Sequence, residues 1–304
     1  MDENITLQTQ FDSVLSLIKN RPDPAQPTAD DPATERIGNK MAMWPEDAAA
    51  MPTEMTRVAL FGLLPDKLGA RQFLEDAPIA SRSDVEVLYT GRQLNAKDET
   101  AWLAVLRLGR GIPMGQRIYF NKVDLLRECG LSNTGPNWKV LQNRLKRLSN
   151  AHFEIRFKRN GKTGQIHTGL MGWGIEEESA AMFIRLHPEG AALFENLAYQ
   201  PWAVRLALRS DASTRLLTYV CGHTQGKPHA VLLDDLRQWL GYNGRLRQFR
   251  VACHRGLDDL EAAGVLMTGS IKFSKGPRGE VVSWIRSKST TTPIEDSAVA
   301  PSSI

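Results

Sequence analysis

One supersecondary unit occurs twice in this chain of 304 residues. In the first copy the pattern predicts a short helix over 121–129, capped by Asn121 and stopped by Gly130. After a turn, a second helix opens at Pro136, a position where the missing N–H costs little. Alternating apolar residues and a tight turn at Arg159–Lys162 then predict a β-hairpin. Helix, turn, helix and hairpin in this order are typical of a winged helix-turn-helix.

The same order recurs towards the C-terminus. A short helix over 234–240 is stopped by Gly241, and a second helix over 245–263 is ended by Gly264. A hairpin of strands 265–273 and 280–285 follows. Two copies of one unit are stronger evidence than either alone. The sequence therefore predicts an α+β fold with two tandem winged-helix domains.

The second helix of the first copy is predicted to be apolar on one face and basic on the other. Eight Lys or Arg but only one acidic residue, Glu154, fall between Pro136 and Lys162. Lys and Arg neutralise phosphates or bond guanine, and Asn or Gln bonds adenine. An ordinary solvated face mixes both signs, so this clustering favours a helix that enters a major groove. The predicted DNA-binding residues of this copy are Lys139, Gln142, Asn143, Arg144, Lys146, Arg147, Lys158, Arg159 and Lys162.

The second copy carries a weaker version of this pattern. Asp258 and Asp259 dilute its positive charge, so an ordinary solvated face stays open as an alternative. Val251 is placed to touch a thymine methyl, whereas His254 equally fits a surface histidine without a special role. Basic hairpin tips are expected to lie along phosphates and set register. The predicted DNA-binding residues here are Arg245, Arg247, Gln248, Val251, His254, Arg255, Lys272, Lys275 and Arg278.

Two linked reading helices imply a composite DNA site. Each helix would enter one of two successive major grooves, about ten base pairs apart on one face of the duplex. One monomer would then recognise an asymmetric site, where a protein with a single reading helix needs a palindrome.

The rest of the chain is predicted to flank these two domains. Leu7, Phe11, Val14, Leu15 and Ile18 form an apolar stripe, in a helix that either packs on its own domain or binds a partner. Six prolines between Pro22 and Pro52 predict a linker that buries too little apolar surface to fold. The predicted segments are an N-terminal helix and flexible linker over 1–56, domains over 57–186 and 187–288, and a disordered tail over 289–304.

The sequence carries no motif of catalysis or of cofactor binding. Gly161-Lys162-Thr163 resembles the end of a phosphate-binding loop, but Arg156 stands where that motif needs its first glycine. Cys129, Cys221 and Cys253 lack CxxC spacing, which predicts neither a disulfide framework nor a zinc site. We therefore predict a non-enzyme without cofactor or metal. The lack of a long apolar run or a secretory signal predicts a cytoplasmic protein with no membrane partner.

Several segments together resemble the TrfA family of plasmid replication initiators. The run 87–94, Val-Leu-Tyr-Thr-Gly-Arg-Gln-Leu, followed by Asp-Glu-Thr-Ala-Trp at 98–102, is similar to the opening of that family. Residues 121–130 with the following basic helix, and Arg57-Val58-Ala59-Leu60-Phe61, are similar to further family segments. The resemblance covers residues 41 to 286 and rests on these segments as a set.

The resemblance implies a bacterial, plasmid-associated initiator that binds direct repeats at an origin. Such proteins act as monomers, form inactive dimers, help to open an AT-rich region and recruit the host helicase. Some also carry a sliding-clamp-binding peptide of the type Gln-Leu-x-Leu-Phe or -Trp, and Lys40–Trp44 occupies its place here. Lys40 departs from the Gln of that pattern, and both Leu are replaced by Met. Clamp binding is thus a hypothesis, with Met41, Met43 and Trp44 as the anchoring residues.

Two other function classes compete with initiation. A transcriptional repressor with tandem winged helices is the main alternative, although a single-domain regulator needs no second reading helix. A nicking relaxase is disfavoured, because no His-hydrophobic-His motif accompanies the five tyrosines. A relaxase would leave cleaved or covalently joined DNA, whereas a repressor would protect one isolated operator.

Overall fold

The computed structural model of this protein describes residues 41, 43–66, 69, 71–159, 162–176 and 181–288, apart from the side chains of 159 and 162. All of these residues belong to one compact unit, Ile37–Ile304. The predicted N-terminal helix, the linker up to residue 40 and the C-terminal tail lie outside the described residues. Within the described ranges, no helix has both the length and the apolar character that a bilayer span requires.

A buried helix, α1 (Ala96–Leu108), lies at the centre of the first half of the fold. It begins with a capping box, because the Asn95 side chain accepts from the Asp98 N–H and the Asp98 carboxylate accepts from the Asn95 N–H. Trp102, Leu103 and Leu106 are fully buried. The helix starts at Ala96, directly after the Asn95 cap.

Strands surround α1 on several sides. In chain order they are β1 (Ala48–Pro52), β2 (Phe61–Gly62), β3 (Phe73–Ile79), β4 (Val85–Arg92), β5 (Leu94–Asn95), β6 (Arg117–Phe120), β7 (His152–Arg159), β8 (Lys162–Gly169), β9 (Gly172–Ile175) and β10 (Met182–Arg185). One antiparallel sheet has the order β3-β4-β7-β8, and a second has the order β6-β10-β9. Alternate residues of β4, namely Val85, Val87 and Tyr89, are buried, so the larger sheet covers the core with one face.

Two helices follow β6 at nearly the predicted positions. The first, α2 (Lys122–Glu128), is capped by Asn121, whose side chain accepts from the Asp124 N–H at 2.8 Å. The second, α3 (Gly135–Ser149), has Pro136 in its first turn and buries one apolar face at Leu141, Leu145 and Leu148. The predicted order of helix, turn, helix and β7–β8 hairpin is therefore present in the first half.

The flexible linker predicted to reach residue 56 is wrong over its last part. Strand β1 pairs antiparallel with β11 (Leu197–Pro201), and a 3-10 helix, Thr53–Arg57, follows it. Ala49, Ala50 and Met51 are fully buried. Composition alone could not reveal this strand, because the partner that satisfies its backbone groups lies far along the chain.

The boundary between the two halves also differs from the predicted position at 187. After β10 come a 3-10 helix, Pro188–Glu195, then β11 and a short helix α4 (Trp202–Ala207). Leu193 and Trp202 belong to the first apolar core, whereas Val204 packs against the second core. The change of core therefore occurs within α4.

The second half repeats the order of the first in a simpler form. Its elements are α5 (Asp211–Cys221), β12 (Pro228–Leu232), α6 (Leu233–Trp239), α7 (Leu246–Ala262), β13 (Lys272–Gly276) and β14 (Gly279–Ile285). The strands form one antiparallel sheet of order β12-β14-β13. The predicted helices agree with α6 and α7 to within one residue. The predicted strand over 265–273 is wrong for most of its length, because Gly269 turns the chain at φ +70° and β13 begins only at Lys272.

Glycines at matching positions end the short helix of each half. Gly130 follows α2 with φ +68°, and Gly241 follows α6 with φ +64°. This left-handed conformation suits glycine because it has no Cβ. At Gly241 the backbone is also crowded, since a Cβ there would lie 2.7 Å from the Cα of Gly62. The predicted helix stops are confirmed, and the second one also touches the first half of the fold.

Candidate nucleic-acid interface

The outward face of α3 carries cations and amides, and its fifteen residues include no carboxylate. Lys139 and Lys146 are exposed, while Gln142 and Asn143 are partly exposed between them. These positions follow the three- and four-residue spacing of one helix face. The arrangement offers phosphate-neutralising charge at both ends of a strip of base-reading amides.

Arg144 and Arg147 do not belong to this face, which corrects two of the predicted DNA-binding residues. The Arg147 guanidinium lies 2.7 Å from a carboxylate oxygen of Asp98, and Arg144 lies 3.6 Å from Asp66. Both arginine side chains are at most 10 % exposed. Both side chains point towards the protein interior, because they form ion pairs there with carboxylates that are distant in the sequence. The charge count between Pro136 and Lys162 thus overstated the outward charge.

These arginines form part of a charged cluster beneath α3. Arg71 is fully buried and donates to Asp98 at 2.6 Å and also to Asp66. Burial alone raises the pKa of Asp66, yet Arg144, Lys97 and Arg71 together hold it below its ordinary value. The Asp66 carboxylate is therefore ionised at neutral pH. The ion pairs of Asp66 and Asp98 with the arginines brace the inner side of α3 against α1.

The outward face of α7 is longer and more mixed in sign. Val251 lies in its middle with 61 % exposure, and the predicted neighbours Arg245, Arg247, Gln248, His254 and Arg255 are exposed around it. His254 is not free: its Nδ1 lies 2.8 Å from an Asp258 oxygen, and its ring stacks on Phe273. The predicted residues of this helix thus share one exposed surface, with His254 tied to the hairpin.

Arg250 is a residue of this surface that the sequence analysis missed. It lies one helical turn from both Arg247 and His254. This spacing places it on the same face of the predicted helix and could have identified it from the sequence. Its guanidinium lies 5.4 Å from the centre of the Phe273 ring and donates to Glu280 at 2.5 Å. Two contacts with the hairpin hold an otherwise exposed guanidinium in one orientation, which favours directional recognition of a base or a phosphate.

Replacing Arg250 with Gln is expected to weaken specific DNA binding about tenfold, since one positioned arginine contact is worth about 1–3 kcal/mol. Titration of fluorescent duplex would measure the change. Lys227→Gln is a matched control, because Lys227 is also exposed. It precedes Pro228, which pairs with Ile285 at the end of β14 remote from the hairpin turn. Equal affinities of both variants would contradict the assignment of Arg250.

The two hairpins extend the basic surface beyond the helices. Lys158 on β7 is exposed, as are Lys272, Lys275 and Arg278 around the β13–β14 turn. The side chains of Arg159 and Lys162 lie outside the described residues, so their DNA-binding role stays a prediction. Strand β8 begins at Lys162, paired with Arg159 in an antiparallel hairpin. Lys162 and Thr163 therefore lie in the second strand of the predicted hairpin, and not in a phosphate-binding loop between a strand and a helix.

The proposed clamp-binding peptide is not available in this structure, which corrects that hypothesis. Met41 is 2 % exposed and Trp44 is 4 % exposed, because both side chains belong to the first core. The Trp44 carbonyl also accepts from Arg110 at 2.9 Å. Only Met43 is exposed, at 71 %. A sliding clamp could bind Met41 and Trp44 only if both side chains left the core. Met43 alone does not provide the three anchoring residues that the motif requires.

The three cysteines are buried thiols. Burial raises the pKa of Cys129 and Cys253 to about 12 and that of Cys221 to about 11. They therefore stay protonated and unreactive at neutral pH. Among the residues that the structure describes, no three His, Cys, Asp or Glu side chains are grouped so as to hold a metal.

Comparison with known proteins agrees with the family resemblance. The family model described as "TrfA protein" matches residues 37–271. A curated relative from Escherichia coli, "Plasmid replication initiator protein TrfA", is 24 % identical over 234 residues. The match covers 74 % of this chain and 60 % of that relative, so the chain spans less than two thirds of the relative's length.

A solved structure shares the fold. Domains 2 and 3 of RctB match with a TM-score of 0.52 at 13 % identity, over 79 % of this chain and 99 % of that one. A second structure of the same RctB domains covers 75 % of this chain and 95 % of that one at 11 % identity, with a TM-score of 0.46. At these identities the likeness concerns the α+β fold alone, and it rests on the first of the two structures.

Proposed function

We propose, since this chain belongs to the TrfA protein family, that it initiates plasmid replication by binding direct repeats in duplex DNA. Each half of the fold acts as a winged-helix domain, with α3 and α7 as the reading helices. The observation that carries the proposal is that both helices turn exposed cations and amides away from their apolar cores. The absence of acidic residues from α3 is what separates this surface from an ordinary solvated face.

The chain binds as a monomer, with α3 and α7 in successive major grooves of one repeat. The β7–β8 and β13–β14 hairpins contact the phosphate backbone and set the register. Bound in an array, the protein helps to open adjacent DNA and recruits the host helicase, whereas its dimers are inactive. It carries out no covalent chemistry on DNA, so a supercoiled origin plasmid is expected to be recovered without nicks.

The experiment is footprinting on the DNA that flanks the gene. Protection that repeats at two-turn spacing is expected of an initiator. One isolated protected operator would favour the transcriptional repressor instead. Duplex affinity is also expected to fall steeply with salt, because several phosphates are neutralised. A salt-insensitive affinity, or no binding in dilute buffer, would overturn the DNA-binding proposal itself.

The double variant Lys139→Gln/Lys146→Gln is expected to lower the slope of log affinity against log salt by about two, one for each phosphate that is no longer neutralised. Both side chains are exposed, so the melting temperature should stay close to that of the parent protein. Salt titrations of duplex binding measure the slope. The double variant Lys139→Arg/Lys146→Arg keeps both charges and should keep the parent slope. A Gln variant with an unchanged slope would remove α3 from the interface.

A further inference from the structure

Three charged side chains are fully buried where the two halves of the fold meet. Glu99 on α1 accepts from Arg205 on α4 at 3.0 Å and from Arg215 on α5 at 2.5 Å. All three side chains are 0 % exposed. A buried charge is costly unless it is paired. This triad joins the first half to the second half through one carboxylate.

Further donors of the two arginines tie other elements to the junction. Arg205 also donates to Gln200 on β11 at 2.8 Å and to Thr218 on α5 at 2.9 Å. Arg215 donates to the Val58 carbonyl at 3.3 Å. Two guanidinium groups thus share one anion. Buried ion pairs add little net stability, and in some proteins they instead specify one geometry.

The triad stands next to the cluster that braces α3. Asp98 holds α3 through Arg147, and the adjacent Glu99 holds α5 through Arg215. Helix α5 in turn packs closely on α7: a Cβ on Gly256 would lie 3.3 Å from the Cα of Ser213. The Ser213 hydroxyl also donates to Asp259 at 2.6 Å. Two consecutive carboxylates at the start of α1 therefore connect α3 with α7.

We propose that Glu99, clamped by Arg205 and Arg215, fixes the distance and angle between α3 and α7 and so selects the base-pair spacing within the DNA site. The inference rests on the proposed function, in which both helices read one duplex. Each added base pair moves one half-site by about 3.4 Å along the duplex and rotates it about the axis. A rigid pair of helices accepts one spacing, whereas a loosened pair accepts several.

The test compares full-length parent protein with Glu99→Gln on three duplexes. One has the natural site, one has a base pair inserted between the half-sites, and one retains a single half-site. The parent is expected to lose about 100-fold in affinity on the inserted site, because one helix no longer reaches its bases. Glu99→Gln is expected to lose less than about tenfold on insertion and to match the parent on the half-site, since its helices keep their surfaces.

Glu86→Gln is the matched control, because Glu86 is an exposed carboxylate on β4. It should discriminate spacing as sharply as the parent. If circular dichroism shows that Glu99→Gln does not fold, Arg215→Lys is tested on the same three duplexes instead. This variant keeps the buried cation and loses only the forked geometry of the guanidinium. A folded junction variant that rejects the inserted site as strongly as the parent overturns the inference, as does a parent that tolerates insertion. Failure of the parent to bind any duplex would instead refute the proposed function.

Discussion

Replacing Asp98 with Ala is expected to lower the free energy of unfolding by about 4 kcal/mol, in the range measured when one partner of a buried ion pair is removed. Its carboxylate accepts from the Asn95 N–H and pairs with both Arg71 and Arg147. Removing it leaves the fully buried Arg71 with one carboxylate, Asp66, and the Pro65 carbonyl, and frees Arg147 from its ion pair. Thermal unfolding should show a melting temperature lower by roughly 10 °C for a chain of this size.

Asp84→Ala is the control for that experiment. Asp84 also pairs with an arginine, Arg82, but both side chains are more than a third exposed. Exposed pairs contribute between about 0 and 1 kcal/mol, so this variant should melt close to the parent protein. Similar melting temperatures for Asp84→Ala and Asp98→Ala would contradict the account of the cluster as a buried brace of α3.

The elements that could be predicted from sequence are those specified by nearby residues. Asn121 caps α2 and Gly130 ends it, and both signals lie within a few residues of the helix. The apolar stripe of α7 likewise sets its inner face, at Phe249, Cys253 and Leu257. Such local agreement explains why the helices of both repeated units were predicted at nearly the right boundaries.

The parts that could not be predicted depend on distant partners. Arg147 has the spacing of an outward cation, and only the position of Asp98 across the fold turns it inward. Trp44 and β1 lie within the proline-rich segment, yet they are ordered because they have partners in the core and in β11. Composition describes one segment at a time. These residues were therefore predicted to belong to a linker and to a partner-binding peptide.

The same distinction applies to the candidate site. Sequence identified the exposed side chains of α3 and α7, because helix periodicity separates the apolar face from the polar one. It could not separate outward arginines from those that brace the helix. Of the six polar residues predicted on α3, Arg144 and Arg147 serve the second purpose. The outward charge of α3 therefore rests on Lys139 and Lys146.

Acidification is expected to destabilise the protein through two histidines of the second half. The rings of His223 and His229 lie 3.7 Å apart between centroids and contact Tyr219. Burial, with the neighbouring His229 and Arg57, lowers the pKa of His223 to about 3. Burial, with Arg57 and Arg82, lowers the pKa of His229 to about 4. Both therefore stay neutral in the folded protein well below the ordinary value near 6.5.

The unfolded chain binds protons at these two sites below about pH 6.5, and the folded chain does so only near pH 3–4. Stability is therefore unaffected by these groups above pH 6.5 and falls as pH decreases below it. At pH 5 the loss is about 2 kcal/mol from His223, and about 1 kcal/mol from His229 after discounting for its larger exposure.

Denaturant unfolding at pH 7.5 and pH 5 measures this loss directly. The double variant His223→Asn/His229→Asn should lose about 3 kcal/mol less than the parent between these pH values, since its side chains do not titrate there. Asn243→Ala is the control, because Asn243 is exposed and has no side-chain group that titrates, so this variant should keep the pH dependence of the parent. A double variant with the same acid sensitivity as the parent would show that other groups control the stability of this fold at low pH.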